Sequence, residues 1–148
     1  MSPAFREWRR GEYVVSTDKD RLDLNVVHGF LKGSYWAASI PKEIVRRSVE
    51  GSLAFGVYRG EEQVGFARVV TDRATFAYLA DVFILQAHRR RGLRKWLMEI
   101  VLSHPELRNL RRWMLATRDA QGLYREYGFT ELQRPGIFME RKNTSYGA

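Results

Sequence analysis

Residues 79–97 read LADVFILQAHRRRGLRKWL, and the fold turns on this stretch. An apolar run leads into a turn with one glycine. Leu93, Trp96, Leu97, Ile100 and Val101 then recur at i, i+3, i+4, i+7 and i+8. That spacing puts the apolar side chains on one face and predicts an amphipathic helix ending before Pro105. The stretch is thus a strand, a turn and a helix N-terminus. From Arg89 to Lys95, five of seven residues are basic. A helix N-terminus already carries unpaired N–H groups and partial positive charge, so a cation cluster there is unfavourable without an anion to offset it. Gly92 allows close backbone approach, and Arg89, Arg90, Arg91, Arg94 and Lys95 offer charge to phosphate oxygens. The turn predicts a phosphate or diphosphate site.

Working outward, residues 12–16 are a strand candidate, followed by a helix with Val26, Val27, Phe30 and Leu31 on its buried face, ended by Gly33. Ser39 is placed to cap a second helix with Pro41 in its first turn and Gly51 at its end. Residues 52–58 and 63–70 read as a hairpin through Arg59-Gly60-Glu61-Glu62, and residues 76–85 as a longer third strand. Beyond the central helix come a strand at 112–117, a short helix at 120–127 closed by Gly128, and a pair of strands over 129–141 broken at Pro135-Gly136. This order predicts an α/β fold with a mixed sheet of about seven strands and about four helices. A helix between them makes strands 76–85 and 112–117 parallel. One domain over 1–148 is expected, with its core at about 12–141 and frayed ends at 1–8 and 143–148.

Composition narrows the function. The 148 residues contain no Cys, which excludes a disulfide framework, a thiolate metal site and a cysteine nucleophile. His28, His88 and His104 have no metal-site spacing, so no metal is expected. No run approaches the ~20 apolar residues of a membrane span, and the first ten residues lack a signal-peptide core, so a cytoplasmic location without membrane contact is expected. The net charge of +8 attracts anions. A nucleic-acid-binding module would share that charge. Yet no recognition motif is present, and the aromatics are not interleaved with the basic residues.

Val82-Phe83-Ile84-Leu85 followed by Arg89-Arg90-Arg91-Gly92-Leu93-Arg94 resembles the acyl-CoA signature of the GCN5-related N-acetyltransferases (GNAT). The match lies at Arg89 and Gly92; Arg94 departs from the family's small residue. Leu123-Tyr124-Arg125-Glu126-Tyr127-Gly128-Phe129 resembles the family's Leu-Tyr-x-x-x-Gly-Phe segment, in the right order along the chain. The family's frequent Asn seven residues before this Tyr falls on Thr117 here. The stretch from Tyr35-Trp36 to Phe55-Gly56-Val57-Tyr58 also looks like a bacterial subgroup of these enzymes.

The resemblance implies a GNAT fold and an acetyl-CoA-dependent N-acetyltransferase. The acetyl group would pass to a primary amine of a small molecule or peptide by direct attack in a ternary complex. It implies acetyl-CoA binding by Val82, Phe83 and Ile84, whose backbone N–H groups would meet the oxyanion, and by Arg89 to Lys95, with Leu93 at the helix start. It implies Tyr124 as general acid, and it allows a homodimer. A CoA-binding sensor without turnover is the alternative within the same site. An amine of pKa about 10.4 needs roughly 4.6 kcal/mol to become neutral at pH 7, so a base is expected. Asp81 is the first candidate, and it could equally be a structural carboxylate paired with an arginine. Tyr78 is a weaker one and a substrate-binding candidate, since strand alternation could turn it into the core or toward the substrate. For the acceptor, Tyr35 and Trp36 could stack on an amine or simply pack the turn between the first two helices, with help from a C-terminal hairpin at 134–138.

Overall fold

In the computed structural model, residues 5–143 are described. A six-stranded sheet runs in chain order, with β1 (Glu7–Arg10), β2 (Tyr13–Ser16), β3 (Leu53–Arg59), β4 (Glu62–Thr71) and β5 (Phe76–Ile84) successively antiparallel. The last strand, β6 (Arg112–Met114), pairs with β5 in parallel, as the intervening helix predicts. Among the described residues four α-helices flank the sheet: α1 (Leu24–Leu31), α2 (Lys42–Glu50), α3 (Leu93–Ser103) and α4 (Gln121–Arg125).

Both faces are covered, so β3 reads as continuous hydrophobic burial. Alternate residues point to opposite faces. Leu53, Phe55 and Val57 join the core under α3, made with Leu93, Leu97, Ile100 and Val101. Ala54, Phe66 and Phe83 join the core under α1 and α2, made with Val27, Leu31, Val45 and Val49. α1 begins at Asp23, whose carboxylate accepts from the Asn25 and Val26 N–H groups.

Several elements differ from the sequence expectation. β1 falls partly inside the stretch expected to fray; its Glu-Trp-Arg-Arg composition hides a strand but suits a sheet edge, where charge discourages further pairing. Residues 1–4 and 144–148 lie outside the described residues. Ser39 does not cap α2; it has φ +64, and Pro41 occupies the cap position. Gly51 ends α2 as expected. The strand pair over 129–141 is absent among the described residues. Pro135–Ile137 forms a 3-10 turn, and nearly every residue there is exposed, so no apolar face drives pairing. The N-terminal hairpin adds one strand and the C-terminal stretch loses two, giving six in place of about seven. No helix of the described residues is long and apolar enough to cross a membrane.

Candidate active site

The site begins where two parallel strands part. β5 pairs with β6 only at Phe76–Arg112, Ala77–Trp113 and Tyr78–Met114. Beyond Tyr78, β5 runs on to Ile84 with no strand on that side among the described residues, which leaves backbone polar groups facing a gap. A crevice at the carboxyl ends of parallel strands is where α/β sheets bind ligands.

A bulge shapes β5 within the gap. Phe66 faces Phe83 and Arg68 faces Ala80, so Ala67 alone opposes Asp81 and Val82. Asp81 takes the left-handed conformation, φ +57. The extra residue reverses the alternation: Ala77 and Leu79 point to the α3 core, yet after the bulge Ile84 does so and Phe83 turns to the opposite core.

The gap is the throat of a cavity of about 940 Å³. One side is the basic turn. Gly92 has φ +74, and α3 begins there with no side-chain cap and no acidic residue in its first turn. The N–H groups of Leu93, Arg94 and Lys95 therefore lack helical partners, the first being Trp96 N–H to the Gly92 carbonyl. Arg89, Arg90, Gly92, Leu93, Arg94 and Lys95 all line the cavity. Arg89 also donates from Nε to the Ile84 carbonyl at 2.9 Å, which pins the turn to the end of β5.

Val82 and Ile84 line the cavity as well. Arg91 does not, and neither does Phe83, whose ring is fully buried and stacked on Phe30 at 4.1 Å. The signature residues therefore divide: most line the cavity, while the Phe83 and Arg91 side chains do not. His88 lines the cavity too; its Nδ1 lies 3.0 Å from the Tyr13 hydroxyl.

Tyr124, on α4, lines the same cavity, is 8% exposed and sits edge-on to Phe129 at 6.0 Å. Burial pushes its hydroxyl above the ordinary phenol range, the Arg94 guanidinium opposes that rise, and Tyr35 adds to it slightly. The Arg94 charge is thus felt at Tyr124, where it favours release of the phenolic proton.

The other side is aromatic. Phe30, Tyr35, Trp36 and Tyr78 line it together with Asp81 and Asp119. Asp81 Oδ1 accepts from the Trp36 indole N–H at 2.8 Å, and Oδ2 accepts from Arg68 Nε at 2.9 Å. The Tyr35 hydroxyl accepts from the Arg118 backbone N–H at 2.9 Å, with the Arg118 guanidinium 3.9 Å above the ring. Asp119, which the sequence did not single out, is exposed and has no ion pair among the described residues. Residues 134–138 form no hairpin and do not line the cavity. No cluster of three metal-binding side chains occurs among the described residues.

The chain is similar to acetyltransferases of one family. A family model described as the acetyltransferase (GNAT) domain matches residues 50–131. A Gibberella zeae protein named as an acetyltransferase is 32% identical over 140 residues, spanning 80% of this chain and 79% of its own. A GNAT-family structure from Xanthomonas campestris superposes with TM-score 0.87 at 49% identity, over 88% of this chain and 93% of that one. A GNAT structure from Elizabethkingia anophelis with acetyl-CoA bound shares the fold at TM-score 0.63 and 11% identity, over 82% of this chain and 78% of that one. With a family model over more than half its length and these relatives at 32% and 49% identity, the chain belongs to the GNAT family of acetyltransferases.

Proposed function

We propose that this protein transfers the acetyl group of acetyl-CoA to a primary amine of a small molecule or peptide, within the cleft between β5 and the segment after β6. One observation carries the reading: the uncapped start of α3, the unpaired length of β5 and the Tyr124 hydroxyl all belong to one cavity. When bound, acetyl-CoA supplies an acetyl thioester already activated toward an amine.

The residues fit that group. The free N–H groups at Leu93, Arg94 and Lys95 and the cations of Arg89 and Arg90 suit its diphosphate, with the left-handed Gly92 giving room for close approach. Arg91 contributes only charge at a distance. The unpaired backbone around Val82, Phe83 and Ile84 suits a ligand that lies along the strand and offers N–H donors to an oxygen gaining charge. Tyr124 holds a proton at its hydroxyl at neutral pH and can release it inside the cleft. The aromatic wall of Tyr35, Trp36 and Tyr78 faces the space left for the amine. Proton loss from that amine is served by water at the mouth, where Asp119 stands exposed.

The test is release of free CoA thiol from acetyl-CoA with a panel of phenethylamine, spermidine, glucosamine and a lysine-containing peptide. Amine-dependent thiol release supports the reading. Acetyl-CoA binding without release from any member of a widened amine panel would favour a CoA-binding sensor, and no binding at millimolar acetyl-CoA would overturn both.

A further inference from the structure

We propose that Asp81 is a positioning residue: it holds Trp36 as a fixed wall on the acceptor side of the cleft, and does not take the amine proton. The inference rests on the acetyl-transfer reading for its place in the reaction, while its structural half stands on contacts alone.

Asp81 sits at the bulge with φ +57, a conformation in which Asp is among the few tolerated residues other than Gly. Its side chain is 9% exposed, and each oxygen already accepts a hydrogen bond, from Trp36 Nε1 and from Arg68 Nε. The Arg68 side chain is only 17% exposed, so a proton taken up by Asp81 would strip a largely buried cation of its counter-charge. Arg68 is held in turn, donating to Ser52 Oγ at 3.1 Å, and the Ser52 hydroxyl donates to the Ser48 carbonyl near the end of α2. One carboxylate thereby ties together β4, the β5 bulge and the loop between α1 and α2. These are the surroundings of a fastening and not of a base that must be free to reach its substrate.

What it fastens is the loop that spans the cleft. Trp36 is 41% exposed and Tyr35 45% exposed, so burial alone does not hold either ring. Trp36 is anchored to β5 through Asp81. Tyr35, edge-on to Trp36 at 5.1 Å, is anchored on the far side through the Arg118 N–H. The two residues form a strap across the gap where β5 and β6 part. Phe30, 6.2 Å from Trp36, backs it. Removing the carboxylate leaves Trp36 without a polar anchor and loosens the wall.

The experiment uses Asp81→Gly, which keeps the left-handed backbone while deleting the carboxylate; Asp81→Asn, which keeps an acceptor for the indole N–H but removes the charge opposite Arg68; and Trp36→Phe. In the free protein, acrylamide quenching of the emission lost on Trp36→Phe substitution should rise at least 2-fold in Asp81→Gly and rise less in Asp81→Asn. With the panel amine giving the highest turnover, Asp81→Gly and Trp36→Phe should each raise the acceptor KM about 10-fold or more, with smaller effects on kcat. The double variant should be no worse than Asp81→Gly. Asp81→Asn, which loses the Arg68 pair but keeps the indole acceptor, should recover part of the KM and keep the wild-type shape of the pH–rate profile. A loss of 100-fold or more in kcat in Asp81→Asn, with the acidic limb of the profile gone and Trp36→Phe silent, would make Asp81 the base and overturn the proposal. If the wild type turns over no amine, the acetyl-transfer reading fails separately, and the quenching comparison still decides: unchanged Trp36 accessibility in Asp81→Gly overturns the positioning role.

Discussion

Replacing Gly92 by Ala tests the ligand-binding turn against the simplest alternative, that Gly92 only makes a turn. Gly92 has φ +74, where a Cβ costs roughly 1–2 kcal/mol in an L-residue. The nearest atom to an added Cβ is Arg10 Nη2 at 3.6 Å, an ordinary contact, so steric overlap within the protein adds nothing. In a chain of this size about 1 kcal/mol moves Tm by roughly 2–4 °C, so the variant should melt about 2–8 °C lower. Gly60 provides the control: it has φ +60 in the β3–β4 turn, and an added Cβ there meets nothing within 4 Å. Gly60→Ala should therefore lose a similar amount of stability. Only Gly92→Ala should also weaken acetyl-CoA binding, by about tenfold or more in isothermal titration, equivalent to roughly 1.4 kcal/mol. If both variants melt lower and both bind acetyl-CoA like wild type, Gly92 is a turn residue and the diphosphate contact is misplaced.

Three further outcomes follow from the structure. Tyr124→Phe should lower kcat well beyond any change in acetyl-CoA affinity, and in wild type the alkaline fall in rate should lie above the ordinary phenol range, because burial raises this hydroxyl. Equal turnover in Tyr124→Phe would remove it as the acid. Tyr58→Phe should stabilise the protein by about 1 kcal/mol in denaturant melts, since the buried Tyr58 hydroxyl has no hydrogen-bond partner among the described residues; a loss of stability would mean the hydroxyl is satisfied in solution. His104 is 1% exposed and accepts from the Glu106 N–H, and burial lowers its pKa below the ordinary imidazole value. The unfolded chain then binds a proton first, so stability present above about pH 6.5 is lost as pH falls, at no more than roughly 1.4 kcal/mol per pH unit. His104→Asn should flatten that slope while lowering stability overall, and an unchanged slope would assign it to other groups.

Much of this was legible because local pattern and tertiary packing agree. The i, i+3, i+4 spacing from Leu93 to Val101 is the buried face of α3, and the helix between β5 and β6 fixes their parallel sense. The basic turn was legible because cations at a helix start need a reason. The bulge was not. Periodicity treats residues 79–84 as one strand, and the reversal of faces at Asp81 appears only when Ala67 is found opposite two residues. For the same reason the fate of Phe83 and Arg91 escaped: a one-residue slip sends Phe83 to the far core, and a turn with φ +66 at Arg90 has no period from which to read where Arg91 points. At the C-terminus, Phe129, Leu132, Ile137 and Met139 imitate strands, but Met139 is 97% exposed and nothing beside it is buried to reward pairing. Asp81 was identified with both of its readings open, and its partners Arg68 and Trp36, 13 and 45 residues away, could be found only in three dimensions.

The most direct test of the central claim is amide mapping of acetyl-CoA binding by NMR on the isotope-labelled protein. Titration should move the N–H resonances of residues 92–95 at the start of α3 and of residues 79–84 along unpaired β5, together with the Tyr124 region, and leave the β1–β2 hairpin in place. Saturating acetyl-CoA that moves none of these amides, or moves a different surface, would contradict the assignment of this cleft.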